Sequence, residues 1–134
     1  MKALNDKNVM HRDLKCENIM LNFPAEGWSQ VDKKFRQEFQ MNSGNFQIKL
    51  ADFGFSKELE EDELTASVYG TPLYMAPEIL NRKPYTTKAD VWSLGCIFYE
   101  ILIGTLPFNA RDYNDLIATI EAGLYSIPKT IGLS

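Results

Sequence analysis

Two short runs of apolar and polar positions predict a pair of β-strands. The runs NIMLN (Asn18 to Asn22) and FQIKLADFG (Phe46 to Gly54) carry apolar and β-branched residues, and both end at residues that favour turns. We therefore expect a short β-hairpin whose two strands are separated by a long connection.

The longest apolar pattern predicts a helix from Lys88 to about Ile103. Its apolar residues cover nearly every side, which is typical of a helix buried at the centre of a domain. Thr87, with Asp90 three residues later, has the spacing of a capping box, and Gly104 is expected to end the helix. A last helix is predicted within ARDYNDLIATIEAG, one side of which carries Leu116, Ile117 and Ile120.

The connection between the two strands, from about Phe23 to Asn45, predicts an inserted amphipathic helix. Ser29 and Asp32 have capping-box spacing. One face of the helix repeats every four residues and consists of Val31, Phe35 and Phe39. Two interpretations remain open: this face packs on its own domain, or it is a docking surface for a partner protein.

Charge and cysteine content indicate which partners and which cellular compartment to expect. The net charge of −4 does not favour nucleic acid or an anionic membrane as a partner. Cys16 and Cys96 fit neither a disulfide framework nor a zinc site, so a reducing, cytoplasmic location is expected. The N-terminus lacks the apolar core of a signal peptide, and the longest apolar stretch is too short to span a bilayer. The acidic stretch KELEEDELTASVYG shows neither the alternation of a strand nor the apolar face of a helix, and we therefore expect a mobile loop.

Four side chains have the chemistry that phosphoryl transfer requires. Asp13, in HRDLKCEN, suits a group that orients an acceptor hydroxyl and takes its proton, and Lys15 supplies a charge for the transferring phosphate. Asn18 and Asp52 supply oxygen ligands for Mg²⁺. Each acidic or amide residue alone is typical of a turn. However, HRD, DFG and APE occur here in that order, with a chance probability on the order of one in a million.

With the helix sequence DVWSLGCIFYEIL, these motifs resemble the eukaryotic protein kinase family of the Ser/Thr type. The resemblance implies a partial kinase domain over residues 1–134, mainly α with a short β-hairpin, from the C-terminal large lobe and with an insertion at about 23–45. It implies phosphoryl transfer from ATP to a protein hydroxyl, with ATP and Mg²⁺ as cofactors and a protein as substrate. The motifs look most similar to those of Atg1/ULK-like and calmodulin-dependent kinases.

The resemblance also implies roles for individual residues. Asp13 is similar to the catalytic aspartate, and Lys15 and Thr71 are similar to its partners in the Ser/Thr class. Asn18 and Asp52 resemble the two Mg²⁺ ligands, which hold the metal–ATP cofactor.

Four more residues resemble structural positions of the family. Asp90 resembles the aspartate that hydrogen-bonds the catalytic-loop backbone, and His11 resembles the structural histidine of that loop. Phe53 resembles the phenylalanine whose packing separates active from inactive states. Glu78 is expected to be buried without the arginine that pairs with it in the family.

Regulation is implied at Arg12, which in the family pairs with a phosphorylated residue of the activation segment. Ser67, four residues before Thr71, matches the usual site, and Thr65 is the alternative. The acidic run Glu58 to Glu63 is either a solvated loop or a partial substitute for that phosphate.

The family's glycine-rich loop and V-A-I-K lysine have no counterpart before Asp13. We therefore expect the chain alone to bind ATP·Mg²⁺ weakly, to be marginally folded and to be inactive. The alternative function is a non-catalytic fragment that binds partners through the insertion helix or an exposed core. A third reading, an unrelated phosphotransferase, is disfavoured by APE and by the apolar helix.

Overall fold

The computed structural model describes residues 2–22, 47–60 and 64–127. The chain divides into two compact units, one formed by Met1–Cys16 with Asp52–Ser134 and the other by Glu17–Ala51. In chain order the elements are α1 (Lys2–Asn5), β1 (Val9–Met10), a 3₁₀ turn (Cys16–Asn18), β2 (Ile19–Asn22), β3 (Gln47–Leu50), β4 (Lys57–Glu58), a 3₁₀ turn (Pro72–Tyr74), α2 (Pro77–Leu80), α3 (Lys88–Ile103) and α4 (Tyr113–Glu121).

The smaller unit contains the predicted pair of strands. β2 and β3 pair antiparallel, with Ile19 opposite Leu50 and Asn22 opposite Gln47. The second strand is shorter than predicted and ends at Leu50. The predicted insertion lies outside the described residues, and with it the capping pair Ser29 and Asp32 and the apolar face of Val31, Phe35 and Phe39.

The acidic stretch is not wholly a loop, so that prediction was wrong in part. β4 pairs antiparallel with β1, with Met10 opposite Lys57. Next to this pair, the Leu59 N–H donates to the Asn8 carbonyl at 2.9 Å, and Leu59 is buried. A two-residue strand is too short to show alternation in the sequence, which is why the pattern missed it.

Helix α3 has the predicted bounds, and it ends at Gly104, whose left-handed backbone (φ 83°) suits a glycine. The predicted capping box is absent, because Thr87 has helical backbone angles and no side-chain cap. The apolar pattern alone predicts a helix that is buried on every side, and α3 is not. One face is buried, including Ala89, Cys96 and Ile97, whereas four apolar side chains are more than half exposed: Val91, Phe98, Ile101 and Leu102. We call these four the apolar face of α3.

The core of the larger unit lies between α2, α3 and α4. Helix α4 buries Leu116 and Ile120, as its periodicity predicted, and Asp112 caps it by accepting from the Asn114 and Asp115 N–H groups. The buried cluster comprises Met10, Leu59, Met75, Ala76, Ile79, Leu80, Tyr85, Ala89, Phe108, Leu116 and Ile120. The described part thus combines α-helices with the predicted pair of strands and with a second antiparallel pair, β1 and β4, that was not predicted.

The 16-residue α3 is the longest described helix. At 1.5 Å per residue it is about 24 Å long, shorter than a bilayer's hydrocarbon core of about 30 Å. None of the helices in the described ranges has both the length and the apolar character needed to cross a membrane.

Candidate active site

Asp13, Lys15 and Thr71 form one hydrogen-bonded cluster. The Thr71 hydroxyl donates to Asp13 Oδ1 at 3.0 Å, and Lys15 Nζ lies 3.0 Å from Asp13 Oδ2. Lys15 Nζ also donates to Thr71 Oγ1 at 3.1 Å, which closes the triangle. Asp13 is only 5% exposed. Both carboxylate oxygens of Asp13 are therefore fixed by partners 2 and 58 residues away in sequence.

The loop that carries Asp13 is anchored by Asp90 at the start of α3. The Asp90 carboxylate accepts from the His11 N–H at 2.7 Å and from the Arg12 N–H at 3.0 Å. Burial raises the pKa of Asp90 above its ordinary value, and these two N–H donors and the neighbouring positive charge partly offset that effect. Asp90 therefore ties the loop that carries Asp13 to α3 instead of capping the helix.

Arg12 has a left-handed backbone (φ 68°), as does Asp52 (φ 59°). Such conformations strain a residue that has a Cβ, at a cost of roughly 1–3 kcal/mol, and they concentrate at functional sites. The hydrogen bond from the Arg12 N–H to Asp90 holds the first of them in place.

Gly70 is a site residue that the sequence did not reveal. Its φ is +111°, and a Cβ there would lie 2.4 Å from the Arg12 carbonyl oxygen. A residue other than glycine would therefore push apart Arg12 and the segment that carries Thr71. In the sequence, the only indication of this role is that Gly70 directly precedes Thr71.

Phe53 lies against His11. The rings of His11 and Phe53 meet edge to face, with centroids 4.8 Å apart, and His11 is fully buried. In the turn that follows Asp52, the Gly54 N–H donates to Asp52 Oδ1 at 3.3 Å. This hydrogen bond orients the Asp52 carboxylate, which is exposed to solvent. The turn that follows Asp52 therefore contacts the loop that carries Asp13 through Phe53.

The two predicted Mg²⁺ ligands have suitable chemistry. Asp52 offers a carboxylate and Asn18 an amide oxygen, the hard donors that Mg²⁺ prefers, and Mg²⁺ commonly takes only one or two protein ligands. Asn18 belongs to the smaller unit, where its carbonyl accepts from the Ala51 N–H at 2.9 Å. No group of three His, Cys, Asp or Glu side chains suited to a metal occurs within residues 2–22, 47–60 and 64–127.

The Arg12 side chain contacts the backbone of Phe55 and the ring of Tyr69. Its Nε donates to the Phe55 carbonyl, and its guanidinium lies 4.7 Å from the centre of the Tyr69 ring. The rings of Phe55 and Tyr69 stack with centroids 5.5 Å apart. We call Arg12, Phe55 and Tyr69 the arginine clasp. Sequence reasoning missed both aromatic partners, because no motif or spacing marks them.

The two candidate phosphorylation sites differ in accessibility. Thr65 is buried, and its backbone pairs with that of Tyr85. Ser67 is exposed, and its carbonyl accepts from the Tyr85 hydroxyl. Part of the acidic run, residues 61–63, lies outside the described residues, so its proposed role toward Arg12 stays a prediction.

Glu100 on α3 joins the loop that carries Asp13 to the segment after Thr71. Glu100 Oε2 accepts from the Tyr74 hydroxyl at 2.6 Å and from the Cys16 thiol at 3.0 Å. This junction was not predicted. The second cysteine, Cys96, is buried, and burial raises the pKa of its thiol to about 11.

Glu78 departs from its prediction. It lies in α2, away from the Asp13 cluster, and it is half-buried rather than buried. Its carboxylate makes no ion pair with the described residues. Because water still reaches it, the large penalty of a buried, unpaired charge does not apply.

Comparison with known proteins adds three findings. The sequence matches the protein kinase domain over residues 1–132. It is 41% identical over 122 residues to the serine/threonine-protein kinase ATG1 of Saccharomyces cerevisiae, covering 90% of this chain and 14% of that protein. It is 38% identical to the ATG1 kinase of Komagataella pastoris over 121 residues (90% of this chain, 15% of that protein) and to that of Aspergillus oryzae over 133 residues (92% and 14%). The chain thus spans about one seventh of the length of these relatives.

Proposed function

This chain belongs to the protein kinase domain family, and we propose that its Asp13 orients a protein Ser or Thr hydroxyl and accepts the proton as phosphate is transferred from ATP. The observation that carries the proposal is the hydrogen-bonded triangle of Asp13, Lys15 and Thr71. A general base must be held within hydrogen-bond reach of the proton that it takes, and two fixed partners hold this carboxylate.

The direction of each hydrogen bond defines the roles. The Thr71 hydroxyl donates to Asp13 and accepts from Lys15, so its orientation is set from both sides. We propose that the substrate hydroxyl donates to the same carboxylate, which has about four lone-pair sites in all. The Lys15 ammonium, less than one quarter exposed, provides positive charge close to the hydroxyl that would be phosphorylated.

Asn18 and Asp52 are the residues that we propose as Mg²⁺ ligands. When bound, Mg²⁺ neutralises charge on the phosphates of ATP. The left-handed backbone of Asp52 and the hydrogen bond from the Gly54 N–H fix the direction of one ligand. Both side chains supply oxygen donors, which is the chemistry that the metal requires.

We assign the chain to the large lobe of a kinase domain, from the catalytic loop through the helix after α3. The sequence contains no G-x-G-x-x-G loop to cover ATP phosphates. We therefore propose that the chain by itself binds ATP·Mg²⁺ weakly and transfers phosphate poorly. Micromolar affinity of the isolated 134-residue chain, measured by calorimetry, would contradict this.

The test of the catalytic proposal is Asp13→Asn in the full-length protein, that is, residues 1–134 together with any residues that flank them. The change removes the proton acceptor but keeps the shape of the side chain. Loss of general-base catalysis lowers kcat by about 10²- to 10⁴-fold. Asp115→Asn, the same change at an exposed position of α4, is the matched control and should leave kcat unchanged. Equal activity of wild type and Asp13→Asn would refute the proposal.

A second candidate function is partner binding without catalysis. The apolar face of α3 favours it, because four large side chains on one helix are more than half exposed. In that case phosphate transfer by the full-length protein would be undetectable. Replacement of the exposed, charged Lys88 of α3 by Gln would leave binding of the partner intact. Replacement of Phe98 and Ile101 by Ser would abolish the binding.

A further inference from the structure

We propose that Tyr69 is a positioning residue that holds Arg12 in place of a phosphate, so that the catalytic cluster is assembled without phosphorylation of Ser67. The proposal rests on the proposed kinase function, but it concerns how the activation segment is held. The family's expected partner for Arg12 is a phosphorylated residue, whereas here Arg12 is already engaged by neutral groups.

The arginine clasp engages the guanidinium in two ways. Tyr69 presents its ring face 4.7 Å from the Arg12 guanidinium carbon, within the range of a cation–π interaction. Phe55, in the turn after Asp52, accepts from Arg12 Nε through its carbonyl and stacks its ring on Tyr69. The three residues come from separate segments, so the clasp connects the catalytic loop, the DFG turn and the activation segment.

Two residues of the arginine clasp are close in sequence to two residues of the catalytic cluster. Arg12 directly precedes Asp13, and Tyr69 stands two residues before Thr71. Gly70, between them, packs so closely on the Arg12 carbonyl that no Cβ fits. Fixing Tyr69 on Arg12 therefore restrains the position of Thr71 relative to Asp13, whose 3.0 Å hydrogen bond is formed in this arrangement.

The clasp and a phosphate at Ser67 are alternative partners of the same guanidinium. Charge-assisted bonds from arginine to phosphate are stronger than a partly exposed cation–π contact, so a phosphate would displace the ring when it is present. Ser67 is exposed and only two residues from Tyr69, which permits that exchange. Without the phosphate, the ring and the Phe55 carbonyl keep the guanidinium occupied.

The experiment combines Ser67→Ala with changes at Tyr69 in the full-length protein. We expect Ser67→Ala alone to lower kcat by less than about three-fold. Combined with Tyr69→Leu, which removes the ring, it should lower kcat about five-fold or more, with the KM for ATP unchanged. Combined with Tyr69→Phe, which keeps the ring, it should behave like Ser67→Ala alone.

Three outcomes would overturn the proposal. Loss of activity in Ser67→Ala alone would show that the phosphate is required. Equal activity of Ser67→Ala with and without Tyr69→Leu would show that the ring does nothing. Equal loss in the Tyr69→Phe and Tyr69→Leu combinations would show that the ring is not the active group.

A second measurement does not depend on activity. The ring should shift the Arg12 Nε–H resonance upfield in NMR spectra of the unphosphorylated protein, and the shift should persist in Tyr69→Phe and vanish in Tyr69→Leu. If the shift is present but Asp13→Asn has no effect on transfer, the kinase proposal fails while the contact stands. An unchanged resonance in Tyr69→Leu refutes the clasp itself.

Discussion

Thr71 donates its hydroxyl to Asp13 Oδ1 across 58 residues of sequence. We expect Thr71→Val, which keeps the shape but removes the hydroxyl, to lower kcat about 10- to 100-fold, because hydrogen bonds to charged groups are worth roughly 1.5–3 kcal/mol. Thr71→Ser keeps the hydroxyl and is the matched control, expected within about three-fold of wild type. Steady-state kinetics of the full-length protein decides between them, and equal kcat for Val and Ser would contradict the assigned role.

Gly70 and Gly104 allow a controlled comparison, because both have positive φ. Gly104→Ala meets nothing within 4 Å, so it should cost about 1–2 kcal/mol from backbone strain alone. Gly70→Ala adds a collision at 2.4 Å with the Arg12 carbonyl. We expect its loss of unfolding free energy to exceed that of Gly104→Ala by at least about 1 kcal/mol. Urea denaturation measures both, and equal losses would refute the close approach.

The Gly70 substitution should also affect catalysis. A displaced Arg12 carbonyl moves the neighbouring Asp13 relative to Thr71, so kcat should fall in Gly70→Ala and not in Gly104→Ala. Activity measured well below the melting temperature of both variants separates this effect from unfolding.

Asp90 should give stability a pH dependence. Burial raises its pKa above the ordinary 3.8, so the folded carboxyl binds a proton more tightly than the unfolded one. The contribution of Asp90 to unfolding free energy is therefore greatest below pH 3.8 and falls as the pH rises through the folded pKa. Asp90→Asn does not titrate, so the stability difference, wild type minus variant, should decrease over that range.

Asp90→Asn also changes the hydrogen bonding of the loop that carries Asp13. The amide has one acceptor oxygen for the two N–H donors of His11 and Arg12, and leaving one unpaired costs about 1–3 kcal/mol. Urea titrations across the acidic range measure both effects. A stability difference that grows with pH would contradict the direction of the pKa shift.

The two cysteines should differ in reactivity toward iodoacetamide. Cys96 is buried and its pKa is raised to about 11, so only about 0.1% is thiolate at pH 8. Cys16 is half-buried, and we expect it to be alkylated at least tenfold faster in the native protein. Peptide mass spectrometry follows both sites, with denatured protein as the control in which both react. Equal native rates would contradict the burial of Cys96.

Much of the fold was predictable because local patterns coincide with tertiary structure. The pairing of the two strands and the helix ending at Gly104 follow from composition, periodicity and turn residues, although the second strand ends at Leu50, before the predicted Gly54. The family resemblance is confirmed by the match over residues 1–132 and by the Atg1-like relatives. The roles of Asp13 and its partners remain predictions that agree with the observed geometry.

The remaining features depend on contacts between distant residues. Thr87 and Asp90 have the spacing of a capping box. However, the Asp90 carboxylate accepts hydrogen bonds from the N–H groups of His11 and Arg12 instead. Likewise, no local pattern shows that Gly70 meets the Arg12 carbonyl or that Tyr69 meets its guanidinium. Such pairings are set by tertiary packing, which periodicity does not record.

The left-handed backbone of Arg12 implies a trade-off between stability and activity. Glycine would adopt φ 68° without strain, so Arg12→Gly would relieve the backbone at that position. It would also delete the side chain that links three segments around the catalytic cluster. Arg12 therefore combines a strained backbone with side-chain contacts that glycine could not make, so relief of the strain and loss of the contacts act on stability in opposite directions.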